Sequence, residues 1–187
     1  KSQYYPPMPR KTITPLERYL VPQIKRDLAK KMVFVAGPRQ VGKTTVLKQL
    51  AAADREYVTL DDLEDRALAK RDPALFLQMH SLPIFIDEVQ YAPELFSYIK
   101  IAIDNGAAPG SFWLTGTQAF KMMELAQESL AGRVALLHMP ALSQHEIYGS
   151  GNNVPFSVDL DALKQRKKTG QQALLPKMYE RIWKGSM

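Results

Sequence analysis

From residue 37 to residue 44 the chain reads Gly-Pro-Arg-Gln-Val-Gly-Lys-Thr, with an apolar, β-branched run at 32–36 before it and helical spacing over 43–53 after it. Glycines at the first and sixth places followed by Lys-Thr make the phosphate-binding pattern, and a strand before it with a helix after it is the setting that pattern requires. Each residue type has a task. The glycines let backbone N–H groups wrap an anion at the head of a helix, Lys43 neutralises the β and γ oxygens of a bound triphosphate, and the Thr44 hydroxyl serves a magnesium ion. The expected nucleotide-binding set is therefore Gly37, Pro38, Arg39, Gln40, Val41, Gly42, Lys43, Thr44 and Thr45, with ATP or ADP as the ligand.

The same alternation runs on along the chain. Strands are expected at 57–60, 83–87, 111–115 and 133–139, and helices at 62–70, 73–80, 93–105, 119–129 and 143–148. Upstream, Thr14 as N-cap and Pro15 at the first helical position open an amphipathic helix carrying Leu16, Tyr19, Leu20, Ile24 and Leu28, bent at Pro22. Short strands apolar on both faces, alternating with helices, predict an α/β fold whose parallel sheet is covered by helices. Residues 1–14 are proline-rich and read as an extended arm, and 15–149 as the folded domain. Residues 150–187 read as a polar, glycine-containing linker and then a basic tail with helical spacing at Leu174, Met178, Ile182 and Trp183.

At 187 residues the chain has the length of one domain with a genuine core. No run of about 18 apolar residues is present, and no signal peptide, so a cytoplasmic protein with no membrane partner is expected. There is no cysteine and only three scattered histidines, which leaves oxygen ligands for any metal. The formal charge of +6 belongs to the tail: Lys164, Arg166, Lys167, Lys168, Lys177, Arg181 and Lys184 face Glu180 alone across residues 162–187. A short basic run of this kind is more often a solvated face than a nucleic-acid site. Contact with nucleic acid, if any, is expected there and not on the body.

A second segment, Pro83-Ile-Phe-Ile-Asp-Glu88, is an apolar strand ending in two carboxylates, a costly arrangement unless it has a use. Asp87 is placed to hold magnesium beside Thr44, and Glu88 to orient and deprotonate an attacking water. The glutamate favours hydrolysis over transfer of the phosphoryl group to another molecule. The third segment, Phe112-Trp-Leu-Thr-Gly-Thr-Gln118, ends a strand with hydroxyls: Thr117 is the first choice to contact the γ-phosphate or the water, with Thr115 in reserve. Arg133 stands alone before an apolar strand, where it reaches phosphate in its own chain or a neighbour's, or forms a plain salt bridge. Arg39 is a candidate for the nucleotide or a nearby carboxylate. Asp61 and Asp62 cap the following helix or order waters on magnesium.

Gly-Pro-Arg-Gln-Val-Gly-Lys-Thr-Thr, Phe-Ile-Asp-Glu-Val-Gln, Leu-Thr-Gly-Thr-Gln and Leu-Ala-Gly-Arg, in that order and spacing, resemble a family of prokaryotic AAA-like P-loop ATPases over about residues 15–148. The resemblance implies a three-layer sandwich with a five-stranded parallel sheet of order 5-1-4-3-2. The strand ending at Thr115 then lies between the loop strand and the Asp87 strand, and Thr117 is brought towards the γ-phosphate. Family members commonly have serine at the position of Thr117. They usually continue into a poorly characterised C-terminal domain, so a missing C-terminal domain is an expected partner, and a homo-oligomer another. The activity expected is slow, magnesium-dependent hydrolysis of ATP coupled to that domain. The alternatives are a nucleotide-gated switch with little turnover and a nucleic-acid-associated motor or loader.

Overall fold

A computed structural model describes residues 18–27, 32–117, 131–143, 146–147, 158–169 and 175–184. Five strands, β1 (Met32–Ala36), β2 (Glu56–Thr59), β3 (Ile84–Asp87), β4 (Phe112–Gly116) and β5 (Val134–His138), form one parallel sheet of order β2-β3-β4-β1-β5. This is the expected order read from the other edge. β4 does lie between β1 and β3.

Because side chains alternate across a strand, β1 feeds two cores. Met32, Phe34 and Ala36 join Ile84, Ile86, Phe112 and Leu114 on one face, covered by α3 (Leu63–Arg71), α4 (Pro73–Met79) and α5 (Leu95–Asp104) through Ala69, Phe76, Phe96, Ile99 and Ile103. Val33 and Val35 join Phe85, Trp113, Ala135 and Leu137 on the other, under Ile24 of α1 (Val21–Asp27) and Val46 and Leu47 of α2 (Lys43–Leu50). A strand buried on both faces reads as a continuous apolar run, and this is why β1, β3 and β4 stand out in the sequence.

Two expectations change, and others fall on residues not described. Val21 begins α1, so Pro22 falls in its first turn, where a missing N–H costs nothing, and bends no helix interior. The expected Thr14 cap and Pro15 start, like the helix at 119–129 and residue Gln118, lie outside the described residues; of 143–148, Glu146 and Ile147 are helical. Within the stretch read as linker and tail, a helix α6 (Leu160–Thr169) appears before the expected last helix, α7 (Leu175–Lys184). Its start is capped by Asp159, whose carboxylate accepts from the Ala162 amide at 3.0 Å, and its Leu, Ala, Lys, Gln and Arg are good helix formers with no apolar stripe to betray them. No helix among the described residues is long and apolar enough to cross a membrane.

Candidate functional site

In an open parallel sheet, ligands bind beyond the carboxyl ends of the strands, and here those ends bring together three segments far apart in sequence. The loop after β1 is tied on both sides: Gly37 N donates to Gly116 O at 3.2 Å, and Met139 N to Ala36 O at 2.8 Å. A Cβ on Gly37 would overlap the carbonyl oxygen of Met139, a backbone atom that cannot swing aside. The variant Gly37→Ala should therefore lose about 2–3 kcal/mol of unfolding free energy in urea titrations, and an unchanged midpoint would disprove this account of the glycine.

The loop turns through Gln40 (φ 62) and Gly42 (φ 91), both in the left-handed region, and delivers the chain into α2 with no side-chain cap on its first N–H groups. Those amides are the donors a helix N-terminus offers to an anion. Arg18, from before α1, braces the loop from behind, donating to Val41 O at 2.6 Å and to Pro140 O at 2.5 Å while its Nε pairs with Glu146 at 3.0 Å. Burial pushes the Glu146 carboxyl up. The amides of Ser143 and Tyr19, the Ser143 hydroxyl and the Arg18 charge outweigh it, and the net shift is downwards, so Glu146 stays charged against its arginine.

Lys43 is buried, and its Nζ donates to Gly37 O at 3.0 Å and Pro38 O at 2.8 Å. Burial pulls its pKa below the ordinary lysine value, opposed by the charges of Glu88 and Asp87 and aided by that of Arg39. Asp87, at the end of β3, is buried as well. Its carboxylate accepts the Thr44 hydroxyl (3.0 and 2.9 Å to its two oxygens), the Tyr57 hydroxyl at 3.0 Å and the Thr115 hydroxyl. Three hydroxyl donors offset the desolvation of this charge.

Thr115 is thus engaged with Asp87, and the same oxygen accepts the Glu88 amide at 3.3 Å; the residue held in reserve for phosphate contact is instead a brace between β4 and β3. Glu88 has φ 58 and ψ 43, an uncommon conformation for a glutamate, and its carboxylate accepts from Gln90 Nε2. Thr117 lies beside it: its amide donates to Gln90 Oε1 at 3.1 Å. Arg39 donates to the Tyr91 hydroxyl at 3.1 Å rather than to a carboxylate. Asp62 is the N-cap of α3, accepting from Glu64 and Asp65 amides; Asp61 lies 3.7 Å from Arg66.

Residues 29–148, well over half the chain, match the AAA domain family. The chain belongs to the AAA domain family. Membership makes it a nucleotide-binding domain of the ATPase kind. Two uncharacterized proteins, from Mycobacterium bovis and Mycobacterium tuberculosis, are each 37% identical to it over 121 residues, which is 64% of this chain and 27% of each relative. The chain thus corresponds to about a quarter of the length of the curated relatives it matches.

One expected residue of this AAA domain does not join the others. Arg133 precedes β5, whose Val134 is in register with Met32 at the start of β1, so it lies at the opposite end of the sheet from the loop, about 20 Å from Gly37 along the strand direction. There it forms a two-bonded pair with Asp104 at the end of α5, at 2.7 and 3.2 Å. Of the alternatives weighed for it, the salt bridge is what the structure shows, and reach to a phosphate in its own chain is excluded by the parallel register.

Conversely, two residues that do join the site carried no signal as site residues in the sequence. Tyr57 sits on β2 and reaches Asp87 only because β2 and β3 are neighbours; Gln90 is in the 3-10 turn Val89–Tyr91. Burial, then the Asp87 charge and hydrogen bond, push the Tyr57 hydroxyl up to about 12. With the folded value raised, the stability this bond contributes is fully present below the ordinary value of 10.0 and is lost as pH rises through about 12. Tyr57→Phe should therefore cost about 1 kcal/mol, reduced by the partial exposure of the ring, as a difference from the parent that stays flat across neutral pH in chemical denaturation.

Proposed function

We propose that this AAA domain binds ATP with magnesium on the loop Gly37–Thr44 and hydrolyses it slowly to ADP and phosphate. The observation that carries the reading is the meeting of Thr44 with Asp87 at 2.9 and 3.0 Å, with the buried Lys43 between the two carboxylates and the start of the loop. Gly37, Pro38, Arg39, Gln40, Val41, Gly42 and Thr45 complete the cradle. The donors at the junction of Thr44 and Asp87 are all oxygen, which suits magnesium; these two residues would hold the ion, whose charge would offset that developing on the phosphates. Glu88 is the base. As a water oxygen bonds to the γ-phosphorus, a water proton passes to the Glu88 carboxylate, the bond from γ-phosphorus to the β–γ bridging oxygen breaks, and ADP leaves with that oxygen. Positioning and charge stabilisation supply most of the rate in such a site. Thr117, at the exit of β4, is the residue proposed to read the γ-phosphate.

The cycle is proposed to drive or time a change in a segment beyond the ATPase domain, since most of each mycobacterial relative lies outside the matched part. Calorimetry with ATP in the presence and absence of magnesium, followed by phosphate release, tests the reading. Uptake that ignores magnesium, or none at all, overturns it; tight ADP with no phosphate release points instead to a nucleotide-gated switch.

A further inference from the structure

Resting on the hydrolytic reading above, we propose that Gln90 is a positioning residue for Glu88, selecting which carboxylate oxygen is left to take the proton from water. Thr117 N–H can only donate, and it bonds Gln90 Oε1 at 3.1 Å. The oxygen end of the amide is therefore fixed at the exit of β4, and the NH2 end is turned onto Glu88 Oε2. The amide engages one carboxylate oxygen, Oε2, and among the described residues Oε1 is the oxygen left for proton transfer. The left-handed turn at φ 58 takes Glu88 out of the strand direction, with its amide on the Thr115 hydroxyl and its carbonyl accepting from the Tyr91 amide, so these bonds fix its backbone while Gln90 engages its carboxylate.

The seat of Gln90 is built to fit. A Cβ on Gly116 would come within 3.0 Å of Gln90 Oε1, so the glycine makes room for the amide. The Gly116 carbonyl accepts in turn from Gly37 N at 3.2 Å. One amide side chain thus ties the base to the strand exit that also holds the first residue of the phosphate loop. Glutamate at position 90 has nearly the same shape, yet it offers no donor to Glu88.

The test compares Gln90→Ala and Gln90→Glu with the parent and with Glu88→Gln, each as the single variant and with Gln90→Ala added to Glu88→Gln. Both Gln90 variants should lose about tenfold to a hundredfold in kcat, the worth of a hydrogen bond to a charged group, while KM for MgATP stays within about twofold. In the Glu88→Gln background, Gln90→Ala should change the residual rate by less than about twofold, because a residue acting through Glu88 has nothing left to act on. Independently of turnover, hydrogen exchange at the Thr117 amide should accelerate in Gln90→Ala by about tenfold or more. Parent-like kcat in Gln90→Ala, a further loss in the double variant as large as in the single one, or a protected Thr117 amide each overturns the role. A parent that binds MgATP but releases no phosphate overturns the hydrolytic reading itself and this role with it. A parent that hydrolyses, with Glu88→Gln inactive and Gln90→Ala unimpaired, overturns only the role of Gln90.

Discussion

Replacing Glu88 with glutamine leaves MgATP bound at close to the parent affinity and slows its single-turnover hydrolysis by about 10²–10⁴-fold, the usual worth of a positioned general base. The amide keeps the size and the polar contacts of the carboxylate and removes only its ability to take a proton. Binding survives because the groups assigned to the triphosphate are elsewhere: the α2 amides, Lys43 and the Thr44–Asp87 junction. Rapid-quench measurement of phosphate, alongside a direct binding titration, separates the two effects. Parent-like hydrolysis in this variant would falsify the assignment of the base.

Lys43→Ala has the opposite signature, with affinity lost before chemistry is reached. Removing a buried, hydrogen-bonded charge from its anionic partner costs about 2–5 kcal/mol, equivalent to roughly 30-fold to several thousandfold in Kd. Without nucleotide the fold should be little affected, since the substitution gives up two hydrogen bonds to Gly37 and Pro38 but also removes an ammonium whose burial opposes its charge. With its folded pKa below 10.5, that burial cost is carried at neutral pH and relieved only as pH rises towards 10.5. A melting experiment shows the contrast: the parent gains about 2.7 kcal/mol at an ATP concentration 100 times its Kd, and the variant gains less than about 1 kcal/mol at the same concentration. A variant stabilised by ATP as fully as the parent would remove Lys43 from the site.

Much of this arrangement was legible before any coordinates. β1, β3 and β4 are buried on both faces and so appear as unbroken apolar runs, and their order followed from the family that four short segments resemble. Thr44 and Asp87 were paired from residue chemistry and do meet. Arg133 precedes a strand, and in the parallel sheet that was expected this already puts it at the amino end, away from the loop; the register, Val134 beside Met32, shows it there, paired with Asp104. Helix α6 was missed because its residues are helical by propensity and carry no apolar period.

Local pattern and residue type by themselves determined the strands, the glycine-containing loop 37–44 and the acidic pair, because backbone geometry and charge burial restrict which residues stand there. What surrounds Asp87 and Glu88 was decided by the tertiary structure alone. Tyr57 and Thr115 come from β2 and β4 and touch Asp87 only because those strands flank β3 with their carboxyl ends level, and Gln90, a near neighbour of Glu88 in sequence, is tied across to Thr117 for the same reason. Hydrogen bonds between segments about 30 residues apart depend on distances that no window of sequence contains.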